Sequence, residues 1–265
     1  MPNGYHNTRK KRAFLGSLCI ECEPGWNWGL NCDCVGEMTA RLQTPALASY
    51  RARGDHQFYR WLSRAIAVLV VAAFAKAVIR VEFEPDIFSS PLTQAHAFVY
   101  FSWVALFLVQ TSLISAKRQD LHRKLGVLGV ILVCVMVLLS VISTIRMFAL
   151  GMEKFFFANP HIEVIVFVLL IVPAFVLRRH PDTHKRLVAL ATISLIGAAT
   201  AHLPFIGRLF PQAYLVVQDS FIVAGILYDL ISRGRIHHTY VWGGLLIVFS
   251  QLLGLELQTS VMPSP

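Results

Sequence analysis

Two histidines open near-identical tetrads, His122-Arg123-Lys124-Leu125 and His184-Lys185-Arg186-Leu187. Each tetrad starts an apolar stretch and follows an earlier apolar stretch with its own leading histidine, His96 and His161 respectively. The unit reads histidine, apolar hairpin arm, basic turn, histidine, apolar hairpin arm, and such repetition marks a repeated structural unit. Neutral imidazole is the commonest metal ligand. Two such rings facing each other across a helix bundle can clamp haem iron axially, the bundle core supplying the apolar pocket. A fifth ring, His202, lies 18 residues beyond His184. That is five full turns, so the two point the same way about 27 Å apart. Ala191 and Ala198 lie near the same stripe and leave room for a flat ligand or a close neighbour helix.

The elements that must position these rings are membrane spans. Apolar residues make up 55% of the chain and charged ones 15%, where a soluble domain carries about a quarter. Mean hydropathy is +0.58. Seven stretches are long enough to cross a hydrocarbon core of about 30 Å as helices: 61–80, 96–115, 125–146, 161–177, 186–203, 213–231 and 240–256. Their apolar residues run continuously rather than alternating, so helices and not a barrel satisfy the backbone in lipid. The expected fold is an all-α, polytopic bundle of seven spans with a histidine-bearing four-helix core in spans 2–5.

The net charge of +9 could suggest nucleic acid, but its distribution excludes that reading. Basic residues gather before span 1 (Arg51, Arg53, Arg60, Arg64) and in every second loop: Lys117, Arg118, Arg123 and Lys124; Arg178, Arg179, Lys185 and Arg186; Arg233 and Arg235. This is the positive-inside pattern. It predicts a cell-membrane protein with a cytoplasmic amino terminus and an outside carboxyl terminus. His122 and His184 then lie at the inner face, and His96, His161 and His202 at the outer face. The inner site would pair His122 with His184; the outer would pair His96 with His161 or His202. Two haems at opposite faces would let electrons cross the bilayer. The plain structural alternative is that His122 and His184 snorkel from basic turns toward headgroups, and that His161, after Pro160, only starts a helix.

Residues 1–60 are expected to form a disordered cytoplasmic tail, 61–256 the membrane domain and 257–265 a short tail. The amino-terminal tail holds Cys19, Cys22, Cys32 and Cys34. The first pair has half a zinc-site spacing, and the second does not complete a zinc ribbon. A cytoplasmic location argues against disulfides. Met38 is a candidate start.

Within the spans, Asp219 and Asp229 are costly in lipid and should face the bundle. Asp229 reads as a partner of Arg233, at i,i+4 spacing, or of Arg235, or as an acceptor that fixes the tautomer of His184, with Asp219 in a similar role at the other end. Gly126, Gly129, Gly197, Gly225, Gly243 and Gly244 should permit close helix contacts. No phosphate-cradling glycine loop and no serine, histidine and acid set stands out.

The runs Leu121-His122-Arg123-Lys124-Leu125-Gly126 and Thr183-His184-Lys185-Arg186-Leu187 resemble those of a widespread family of uncharacterised bacterial seven-span proteins, over about residues 58–256. More distantly, a histidine at an end of each of four successive spans resembles the ascorbate-reducible transmembrane cytochromes b. That resemblance implies two b-type haems in a four-helix core. The His-basic-basic-Leu element is also similar to that of small membrane proteins that help assemble cytochrome oxidase, which implies a redox partner or oxidase subunit. The expected function is haem-binding electron transfer through the lipid bilayer. The alternatives are an assembly factor or transporter with structural histidines, and a metal-dependent membrane hydrolase using His96, His202 and Asp219 around zinc.

Overall fold

The computed structural model of the chain describes residues 45–79, 90–149, 159–201, 203 and 212–261. The cysteines of the tail, Met38 and His202 lie outside these residues. The chain divides into Met1–Tyr50 and Arg51–Pro265. The second unit is built of helices: α1 (Pro45–Ile79, which begins in the first unit), α2 (Pro91–Ser115), α3 (Gln119–Ala149), α4 (Asn159–Val176), α5 (Pro181–Ser194), α6 (Gly197–Ala201), α7 (Ala213–Arg233) and α8 (His238–Val261).

Local chemistry sets the boundaries. Pro91 and Pro181 open α2 and α5, where a missing N–H costs nothing because the first turn has no partner for it. Gly234 stops α7 with φ 68, its N–H donating to Leu230 O, as only a residue without Cβ does cheaply. The turn from α2 to α3 is tighter than glycine-free sequence suggests, since Lys117 takes φ 59. Two hairpins result, α2–α3 and α4–α5. Each packs closely within itself, while α3 and α4 touch more sparsely.

Among the described residues five helices are long and apolar enough to cross a membrane: Gly54–Ala75, Pro91–Ser115, Gln119–Arg146, Ala213–Arg233 and His238–Leu257, with His161–Val176 a shorter apolar helix. These helices are consistent with an integral membrane protein. The stretch 186–203 differs from the expectation of one continuous span. It is broken at Leu195 and Ile196, whose N–H groups reach back three residues, to Thr192 O and Ile193 O, instead of four.

The break and the modest hydropathy of α5 have one cause, which is position. From Arg186 to Ile196 every residue except half-buried Val188 is buried. A helix surrounded by protein rather than lipid can carry Arg186, Thr192 and Ser194, provided each has a partner. Trp103 of α2 donates to Thr192 Oγ1 at 3.3 Å. By contrast α3 exposes Val127, Val130, Ile131, Leu138 and Ile145, apolar surface that suits hydrocarbon and not water.

Glycine admits close neighbours at Gly225, where a Cβ would lie 2.5 Å from the Tyr240 ring, and at Gly243, where it would lie 2.7 Å from Leu190. Gly126, expected to make a close contact, has nothing within 4 Å of its Cβ position. Gly225→Ala should therefore lower stability by about 1–3 kcal/mol through overpacking. Gly126→Ala should be neutral or stabilising by up to ~1 kcal/mol through helix propensity. Thermal unfolding of the detergent-purified variants checks both.

Candidate functional site

The tetrad at 184–187 sits in the first two turns of α5. Successive residues there are 100° apart, so His184, Lys185 and Arg186 reach three different neighbours. His184 faces α3 and α4. Lys185 Nζ meets Asp55 of α1 at 2.5 Å and Asp182 at 2.6 Å. Arg186 meets Asp229 of α7.

His184 Nδ1 lies 2.8 Å from Ala174 O. That carbonyl belongs to the last turn of α4, where intrahelical donors have run out. A carbonyl only accepts, so Nδ1 carries the proton and, in the neutral ring, Nε2 keeps its lone pair. The His122 ring stands 6.4 Å from that of His184, centre to centre, with their planes at 84°. His122 Nδ1 and Gln110 Oε1 are both buried without a hydrogen-bond partner. Each such atom costs about 1–3 kcal/mol. Gln110 Nε2 donates instead to His122 O at 3.2 Å.

At the opposite end of the bundle, the His96 ring stacks on Tyr100 at 4.2 Å, and His161 is near enough to His96 to act on it electrostatically. His161 also lines a groove of about 430 Å³ between α3 and α4. The groove is apolar apart from His161, Ser140 and Thr144, and is bordered by exposed Val141, Ile145, Ile165 and Leu169.

Beside the His122–His184 pair lies an ionic cluster. Arg186 and Asp229 have no exposed side-chain surface. Arg186 Nε donates to Asp229 Oδ2 at 2.9 Å, Nη2 to Asp229 Oδ1, and Nη1 to the Asp182 carbonyl at 2.6 Å. The Tyr240 ring lies 5.8 Å from the guanidinium, and Tyr240 Oη is 3.1 Å from Tyr59 Oη. Arg233 Nη2 bonds Asp55 at 2.6 Å and Asp182 at 3.1 Å. Tyr228 donates to Asp55 Oδ1 at 2.9 Å. Three carboxylates and three cations thus balance, and they tie α1, α5 and α7 together, with Tyr240 joining α8 to them. Asp229 is held chiefly by Arg186; Arg233 Nε stands 3.7 Å away. The expected Arg233 partnership is therefore secondary, and the His184 tautomer is set by Ala174 O rather than by a carboxylate. Asp219 accepts from Gln251 at 3.0 Å.

Sequence reasoning missed Asp55 and His237. The signal for Asp55 was a carboxylate just ahead of a span in a chain with 15 acidic residues. His237 N donates to Asp229 Oδ2 at 3.3 Å, and its Nδ1 accepts from Thr239 N at 3.3 Å. Among the described residues no three His, Cys, Asp or Glu side chains converge to hold a metal ion; His202 of the zinc-hydrolase set lies outside them.

Removing one partner of the buried pair strands the other, so Arg186→Met or Asp229→Leu alone should cost about 3–5 kcal/mol, and the double variant less than either single change. Unfolding of all three in detergent measures this.

Two groups outside the spans make stability depend on pH. Burial drives His237 down from 6.5 to about 4, helped by Arg186 and His238 and opposed by Asp229 and Asp182. Burial would raise Asp182, but the Lys185 hydrogen bond and the charges of Lys185, Arg233 and Arg186 win and hold it at about 2 instead of 3.8. Both folded values lie below the unfolded ones, so the unfolded chain takes up protons first as pH falls. Stability should drop between about pH 6.5 and 4 through His237, then between about 4 and 2 through Asp182. His237→Asn should flatten the upper part of a melting-temperature profile against pH.

Comparison with protein-family models, curated proteins and solved structures gives no match.

Proposed function

We propose that this chain crosses the membrane seven times, amino terminus inside, holds b-type haem iron between His122 and His184, and passes electrons. One observation carries the reading: His184 Nδ1 is tied to Ala174 O, which aims a ring with a free Nε2 lone pair into a seam where His122 waits 6.4 Å away. Metal–imidazole bonds are about 2 Å long, so two ring centres sharing one ion stand ~6 Å apart. The anchoring of one ring nitrogen by a backbone carbonyl is the usual way a ligating histidine is oriented. The buried, unsatisfied Nδ1 of His122 also supports a site built for a partner other than protein.

Haem, when bound, supplies the one-electron chemistry; the chain supplies the rest. His122 and His184 would hold the iron, and Ala174 O keeps the His184 ring still. Exposed Arg123 and Lys124, next to His122, offer charge to the carboxylates that b-type haem carries. His96, with His161 or His202, is the set that a second haem toward the outside would use. A redox partner or an oxidase subunit would dock at the basic face.

A second reading, an assembly factor or transporter with structural histidines, draws on the same contact, because 6.4 Å also falls within the ordinary range of an edge-to-face ring pair. Optical spectra separate the two. Protein purified from haem-replete cells should show a reducible b-type spectrum, from which His122→Ala and His184→Ala each remove the inner-haem contribution while His180→Ala, in the exposed turn, keeps it. A wild-type protein that folds, yet carries no haem absorbance, overturns the electron-transfer reading in favour of the second.

A further inference from the structure

A small cavity lies beside the break in α5, far from the histidine pair. Glu163 of α4, Ser194 of α5, Gln218 of α7, and Ser250 and Gln251 of α8 line its polar side, Ile162 and Ile247 its apolar side, and its volume is about 10 Å³. That is room for one water-sized particle. Ser194 stands thirteen residues beyond Pro181, Gln251 thirteen beyond His238, Glu163 thirteen before Val176 and Gln218 fifteen before Arg233. Each is ~20 Å along its helix from the basic end, so four helices deliver these side chains to one depth. In a protein read as spanning a core of about 30 Å, that depth is inside hydrocarbon.

The hydrogens of the two serines and the two glutamines of this cavity are already committed. Ser194 Oγ donates to Ala191 O at 2.8 Å, and Ser250 Oγ to Ile247 O at 2.6 Å. Gln218 Nε2 donates to the two carbonyls at the helix break, Ile193 O at 2.9 Å and Ser194 O at 3.3 Å. Gln251 Nε2 donates to Gln218 Oε1 at 3.2 Å and Asp219 Oδ1 at 3.0 Å. Each hydroxyl turns its proton back onto its own helix and presents lone pairs. Glu163 and Gln218 oxygens converge at Gly197, where a Cβ would meet Gln218 Oε1 at 3.0 Å and Glu163 Oε1 closer still. Any side chain at 197 would fill the spot. The C-terminal end of α5, the negative pole of its dipole, abuts the same space.

We infer that this cavity binds one sodium-sized monovalent cation, ligated by oxygens of Glu163, Ser194, Gln218 and Ser250. Lone pairs without available hydrogens attract a hard cation and repel an anion. Unwound backbone at a broken transmembrane helix is where membrane proteins bind coupling ions. The inference stands apart from haem binding, since the two sites share no residue.

The test is thermal unfolding of the full-length protein in detergent, titrated with sodium chloride against choline chloride at equal ionic strength and fixed neutral pH. Stability should rise saturably with sodium and not with choline, because a ligand that binds only the folded state stabilises it. Ser250→Ala, which removes one oxygen, should raise the half-maximal sodium concentration about tenfold, and Glu163→Gln should abolish the response. If Glu163→Gln does not fold, the wild-type comparison and Ser250→Ala decide. Equal unfolding in sodium and choline overturns the inference, as does an unchanged sodium response in Ser250→Ala and Glu163→Gln.

Discussion

The bond between Arg186 and Asp229 constrains everything around it. Both side chains are wholly buried, so neither keeps its charge at acceptable cost without the other. Arg186 belongs to α5, the helix that the others surround, and Asp229 to the last turns of α7. Satisfying the guanidinium fixes the rotation of α5 about its own axis. That rotation aims Lys185 at Asp55 and turns His184 toward His122. Such a pair adds little net stability over a well-packed apolar substitute. Its effect is to forbid other rotations, since each would bury an unpaired charge. The surrounding residues complete the balance: Asp55 receives Lys185, Arg233 and Tyr228, and Asp182 receives Lys185 and Arg233.

A second polar layer repeats the device farther along the same helices. Gln218 and Asp229 are eleven residues apart on α7, and Tyr240 and Gln251 eleven apart on α8. Eleven residues make three turns, so both layers fall on the same face of each helix. Between them lies an apolar layer containing Leu190, Ile193, Ile222 and Ile247. Gly225 and Gly243 let Tyr240 and Leu190 into the gaps between helices. Polar layers set the register, and the apolar layer between them excludes water.

Hydropathy made the long lipid-facing helices legible, because lipid demands apolar residues on every exposed face; α3 shows this most plainly. The same signal is weaker where a helix is enclosed by protein, which is why α5 broke the expected pattern at 195–196. The twin tetrads were legible as local structure and misleading as symmetry. Each histidine begins a helix after a basic turn, as the repeat implies. Yet Arg123 and Lys124 are exposed on peripheral α3, while Lys185 and Arg186 make the ionic cluster on central α5. Spacing within one helix cannot reveal which helix sits in the middle. Asp55 was invisible for a related reason: its partners Lys185, Tyr228 and Arg233 are far away in sequence. Gly126 shows the converse, a helix glycine that no neighbour approaches.

The claim that one buried ion pair orients α5, and through it the histidine seam, is open to hydrogen-exchange mass spectrometry of Asp229→Asn in lipid nanodiscs. The account predicts that protection falls together in α7, across Arg186–Leu190 of α5, and in the first turn of α3 around His122. Loss confined to α7, with α5 and the start of α3 as protected as in the wild type, would contradict it.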